Sequence, residues 1–228
     1  NVLSIKKNGI ELIDTPVYTA DKNKEKQILK VKLSEDNSIS GAGLFEYTGS
    51  QYDYSLVYSN LSPKERNESL KNQLDVLNFE KVEMKDFVND RDHAVSKYNI
   101  DFKANNYSKN AGSSMIFRAV PIFANTIYKT DDNRELPFEI GQSFEDEYQI
   151  TFEIPKNYKI EEIPDNVTIN SEFGSYTLNI IKEGENLKVN RTVRVNKGIY
   201  PKEKYNDYVS FRKKMNGLDN SKILITKI

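Results

Sequence analysis

The chain has 228 residues, with 33 Lys and Arg against 34 Asp and Glu, one His, no Cys and no Trp. That length allows one large domain or two small ones. A net charge of −1 gives no field to steer a polyanion, so nucleic acid is not expected as a partner. The missing thiol excludes disulfides, thiol nucleophiles and thiolate zinc sites. A mean hydropathy of −0.68, with no run of about 18 apolar residues, argues against membrane insertion.

Asn1 leads into Val2-Leu3-Ser4-Ile5, which reads as a strand, without initiator Met or signal-peptide pattern. The chain is therefore expected to be a piece of a longer protein. Residues 1–26 form a mixed lead-in: a short strand at Gly9 to Asp14 closed by Thr15-Pro16, then a charged loop over Asp21 to Lys26. Alternation from Gln27 to Leu33 and from Ile39 to Tyr47, around the polar turn at residues 35–38, predicts a hairpin. Tyr52 to Ser59 alternates too and predicts a third strand.

The period then changes. Ser62-Pro63-Lys64-Glu65 combines an N-cap, a proline at the first helical position and a capping-box acid. Leu70, Leu74 and Leu77 follow at helical spacing, with Lys64, Glu68, Lys71 and Asp75 toward water, so a helix is expected over 63–78. Strands are expected at about 79–88, 97–104, 114–120, 135–140, 147–154, 158–162, 166–170, 174–181, 186–195 and 222–227. A second helix is expected over 201–216, opened by Pro201 and stopped by Asn216-Gly217. The fold class this predicts is mainly β: an antiparallel β-sandwich with two α-helices over 93–228, preceded by a small α+β unit over 27–92.

Candidate chemistry is sparse. His93 between Asp92 and Ala94, near Asp90, resembles half of a general-base pair, but no nucleophile motif accompanies it, and a polar loop histidine is the simpler reading. Glu145-Asp146-Glu147 is the densest acid cluster. Adjacent acids on a strand point to opposite faces, and a solvated turn is expected there. Asp131-Asp132-Asn133 and Asp90-Arg91-Asp92 lack calcium-loop spacing, so no metal and no cofactor are expected. Tyr47, Tyr54 and Tyr58 could form an aromatic binding surface for a glycan or a peptide, although tyrosine is also an ordinary strand residue. Asn-x-Ser/Thr triplets, such as those at Asn67, Asn106, Asn166 and Asn190, are expected by chance in an Asn-rich chain.

One set of segments goes further. Arg134-Glu135-Leu136-Pro137-Phe138, followed by Ile154-Pro155-Lys156-Asn157-Tyr158-Lys159-Ile160-Glu161-Glu162-Ile163-Pro164, resembles an R-x-x-P-F … I-P-x-G-Y-x-V-E-x-L-P signature. That signature occurs in the C-terminal region of bacterial transglutaminase-like proteins of unknown function. The likeness continues through Ser171 to Tyr176, Val189-Asn190-Arg191 and Tyr200-Pro201 to Phe211, and upstream through Leu12 to Pro16 and Leu33 to Gly41. Asn157 stands where the family often has Gly. The resemblance implies a parent with a signal peptide, a papain-like core carrying a Cys-His-Asp triad, and this β region after it, in the periplasm or exported. With no Cys, no triad residue can be assigned here. The expectation is a non-catalytic module, structural or partner-presenting, whose partner is the parent's papain-like core. A glycan- or peptide-binding module and a carboxylate-only hydrolase are the alternatives.

Overall fold

The computed structural model describes residues 2–13, 17–74, 76–123 and 126–228. The expected stop at Thr15-Pro16 and the water-facing Asp75 lie outside these residues. The fold is mainly β, as expected. β1 (Val2–Lys6) and β2 (Gly9–Ile13) form a hairpin paired only with itself. β3 (Lys24–Leu33) and β4 (Ile39–Thr48) follow as a long hairpin. Its turn is set by Asp36, whose Oδ1 accepts from the Ser38 amide and hydroxyl (3.0 and 2.6 Å), and by left-handed Asn37 (φ 67°).

The strand expected at 52–59 is not a strand. Gly49–Asn60 is a twelve-residue run of 3₁₀ helix. Tyr52, Ser55 and Tyr58 are all buried, and their spacing of three matches the three residues per 3₁₀ turn. The two-residue alternation of tyrosines was therefore the wrong period. Ser55 anchors the run by donating to the Tyr52 carbonyl (2.8 Å).

α1 (Pro63–Gln73) begins with the expected capping box: the Glu65 amide donates to Ser62 Oγ (3.4 Å) and the Ser62 amide to Glu65 Oε2 (2.9 Å). It stops before the expected end at 78 because β5 (Asn78–Asp90) must turn back to pair with β6 (Val95–Asn105). Next come β7 (Lys109–Ala111), β8 (Ser114–Arg118), β9 (Phe138–Ile140), β10 (Phe144–Glu153), β11 (Tyr158–Glu162), β12 (Val167–Ser171), β13 (Gly174–Glu183), β14 (Asn186–Val195) and β15 (Gly198–Tyr200). α2 (Tyr205–Asp219) and β16 (Lys222–Lys227) close the chain. Pro201 precedes a 3₁₀ turn at Lys202–Lys204 rather than opening the α-helix. α2 runs past the expected stop at Asn216-Gly217, because its last residue, Asp219, is held in the core by Arg191 and Tyr176.

The main sheet has eight strands in the order β12-β13-β14-β10-β3-β4-β6-β5. Every pairing in it is antiparallel except one: β3 and β10 lie parallel, Glu25 opposite Asp146. The position expected as a boundary, 92/93, falls in the β5–β6 turn, and the sheet continues on both sides of it. A second sheet, β11-β16-β8-β7, packs on one face of the first, where Phe117 meets Phe152 (ring centroids 5.2 Å). The other face carries ion pairs such as Lys24–Glu147 and Lys32–Glu153.

Candidate functional site

The inner face of the large sheet is not uniformly apolar. Register places side chains in rows across it, and the middle rows are hydrocarbon: Ile150 and Leu29 are opposed, as are Phe152 and Val31. Toward the start of β3 and β10 the rows turn polar. Val193, Asp146, Glu25 and Tyr47 form one row, and Arg191, Tyr148, Gln27 and Phe45 the next. α2 and the 3₁₀ run close over these rows but do not fill them. A cavity of about 610 Å³ remains, lined by Glu25, Gln27, Tyr47, Gln51, Asp146, Tyr148, Arg191 and Arg212, with Tyr54, Leu74 and Phe123 among its other walls.

One side of this site is a hydrogen-bonded network around Arg191. Arg191, 6% exposed, donates from Nε and Nη2 to the two carboxylate oxygens of Asp219 (2.7 and 2.9 Å), and Tyr176 adds a donor at 2.8 Å. The guanidinium also stacks over Tyr148, 4.5 Å from the ring centroid. Burial opposes the charge on Arg191, but Asp219 outweighs it and holds the guanidinium protonated.

The other side is a carboxyl pair. Glu25 accepts from Gln27 Nε2 (2.7 Å) and Asp146 from Gln51 Nε2 (2.9 Å). Gln51 is itself fixed by Asn23, whose Oδ1 accepts from the Gln51 amide at 2.9 Å. Burial pushes the Glu25 carboxyl up to about 7, and the neighbouring Asp146 charge adds to the shift. Burial likewise raises Asp146, against the pull of Arg191. Two half-buried acids at opposed positions on adjacent strands cannot both ionise cheaply, and both carboxyls are raised.

The acid cluster singled out in the sequence supplies one member of this pair. Glu145 to Glu147 lie within strand β10, not at a turn. Alternation sends Asp146 inward, while Glu145 and Glu147 pair with Lys24 on the outer face (2.8 and 2.6 Å). Glu25 was hidden in the charged stretch read as loop, whose last three residues, Lys24 to Lys26, begin β3. Among the tyrosines, Tyr47 is buried in the cavity wall and Tyr54 stands exposed at its mouth. Tyr58 is elsewhere in the core, edge-on to Tyr98 and Phe87. His93 sits on the β5–β6 turn, its side chain 76% exposed, with Nδ1 2.8 Å from Asp90 Oδ2. Among the described residues, no three His, Cys, Asp or Glu side chains converge as metal ligands.

A second concavity, about 880 Å³, lies between α1 and the smaller sheet. Lys71, Lys109, Arg118 and Lys222 line it together with Asn72, Asn78, Asn105, Asn106 and Asn220, and no acid lines it among the described residues. Burial lowers the Lys222 ammonium pKa, and Arg118 and Lys109 push it the same way.

Residues 113–225, just under half of the chain, match a family described as "Domain of Unknown Function with solved-structure structure (DUF3858)". No curated protein matches. A solved structure described as "a putative protease from Parabacteroides distasonis ATCC 8503" is similar, with 15% identity, a TM-score of 0.41, and coverage of 79% of this chain and 46% of that one. The chain thus spans less than half the length of that protein. Asp146, Arg191 and Asp219 fall inside the matched family region, and Glu25 outside it.

Proposed function

We propose that this chain is a non-catalytic β module of a longer, exported transglutaminase-like protein, holding a ligand or partner segment beside that protein's papain-like core. The observation that carries this reading is the separation of chemistries. The chain has no thiol, its single imidazole stands on an exposed turn, and its polar cavity offers carboxyl, guanidinium, amide and phenol groups. Covalent acyl transfer needs a nucleophile held against a base. Recognition needs only a shaped cavity with a few convergent polar groups. The test is to compare the purified chain with its full-length parent on amide hydrolysis and cross-linking substrates. Activity is expected in the parent alone, and turnover by the chain itself would overturn the reading.

A carboxylate-only hydrolase is the second reading, favoured by Glu25 and Asp146 lining one cavity. Opposed positions on adjacent strands put both acids on the same side of a substrate, whereas glycosidases flank the scissile bond with theirs. Glycoside or peptide hydrolysis lost in both Glu25→Gln and Asp146→Asn would establish this reading against the first.

A further inference from the structure

Three acceptor groups of the cavity, Glu25, Asp146 and Gln27 Oε1, have room for further donors, while Arg191 Nη1 and Arg212 Nε are buried donors without a partner. Among the described residues neither Glu25 nor Asp146 has an ion pair. The two nearby guanidiniums are turned elsewhere, Arg191 onto Asp219 and Arg212 onto the ring of Tyr128 at 4.8 Å. Each acid receives a neutral side-chain amide donor, Gln27 for Glu25 and Gln51 for Asp146, although an ionised carboxylate can accept about four hydrogen bonds.

Gln27 supplies an independent sign. It is 2% exposed, lines the same cavity, and its Oε1 has no hydrogen-bond partner. While Glu25 is ionised the amide cannot turn over to relieve this, because its Nε2 is committed to that carboxylate. A buried carbonyl without a donor costs about 1–3 kcal/mol, so its persistence beside two under-satisfied carboxyls calls for an explanation. All three groups can take a further donor, and for the two carboxyls a positively charged one would also offset their charge.

We propose that the cavity binds the primary ammonium group of an organic ligand, received by Glu25, Asp146 and Gln27 Oε1. The assignment rests on reading the chain as a binding module and names what that module binds. An ammonium has three donors and no acceptor, one for each of the three acceptor groups. Tyr47 and Tyr148 form aromatic walls beside it, suited to a cation. Leu74, Val76, Ile122 and Phe123 line the rest and accept an alkyl stem. Arg191 Nη1, buried and also without a partner, adds a donor for a carbonyl on the same ligand. A lysine side chain and a free peptide N-terminus both carry this chemistry.

The test is calorimetric titration of the whole chain with four probes. N-acetyl-lysine N-methylamide carries the side-chain ammonium and a glycyl peptide amide the α-ammonium. N-acetyl-norleucine N-methylamide is the uncharged isostere, and calcium chloride is the inorganic cation. One or both ammonium probes are expected to bind, with about a ten- to hundredfold loss for the norleucine analogue and for Glu25→Gln and Asp146→Asn. Circular dichroism verifies folding of the variants, and His93→Gln on the exposed β5–β6 turn, outside the cavity lining, controls for nonspecific change. The proposal falls if no ammonium probe binds, if norleucine or calcium binds as well as the ammonium probes, or if both folded variants retain wild-type affinity. An uncharged or acidic peptide or glycan seated in the cavity would remove the ammonium assignment alone and leave the binding module standing. Turnover by the chain removes the module reading instead.

Discussion

The acid cavity and the basic cleft share a wall residue, Val76, yet they are built in opposite ways. Glu25, Asp146 and Arg191 are paired positions on three neighbouring strands, so sheet register fixes where they point. Lys71, Lys109, Arg118 and Lys222 sit near the ends or on the short edge of their elements, and three of the four side chains reach into solvent. Charge placed by register is held in a low-dielectric surround and its protonation shifts strongly. Charge gathered by converging element ends is largely hydrated.

The largest way to break this contrast is Asp219→Ala. It leaves Arg191 charged and buried without its carboxylate, and the expected loss is about 3–5 kcal/mol of unfolding free energy by urea denaturation. A smaller loss would mean that Tyr148 stacking and water compensate the guanidinium.

Next in size is a pH effect from Glu25. Its carboxyl is raised from 4.5 to about 7 by burial and by Asp146, so the folded state binds the proton more tightly than the unfolded one. Stability should therefore fall as pH rises from about 4.5 to 7 and stay lowered above that window. Glu25→Gln should flatten this slope and raise stability at pH 8 by about 1–3 kcal/mol, as read from thermal or urea unfolding across pH. An unchanged slope would assign it to other groups.

The smallest effect belongs to the cleft. Lys222→Gln should change stability by no more than about 0.5 kcal/mol, in the stabilising direction, since it removes one of several mutually repelling cations. Raising the salt concentration should shrink that difference, because hydrated charges are screened beyond about 8 Å at physiological ionic strength. The Glu25 effect should survive the same salt. Equal salt sensitivity in both would erase the distinction.

Local signals in the sequence were sufficient where the physics is local. The capping box of α1 and the alternation of β3, β4, β13 and β14 reappear at nearly the expected positions. What failed was a choice between periods, at Tyr52 to Ser59, where tyrosines satisfy both two and three. The site was half legible. Asp146 was visible as the middle of an acid triplet whose alternation could be foreseen, and Tyr47 as a strand aromatic. Glu25 was not, because its significance comes from lying opposite a residue 121 positions later. Arg191 and Asp219 were likewise invisible as a pair, the first inside a strand and the second beyond the expected helix stop. A single chain carries no local mark of such partnerships.

The parallel seam between β3 and β10 also sets a timetable. During synthesis β3 and its hairpin partner emerge long before β10, and until it arrives one edge of β3 offers free amide and carbonyl groups to any neighbouring strand. Contacts this distant in sequence slow the search for the native arrangement. The nascent chain must therefore pass through a period of vulnerability to clumping that ends when β10 docks. Chaperone dependence or inclusion bodies should track truncations that stop short of residue 144.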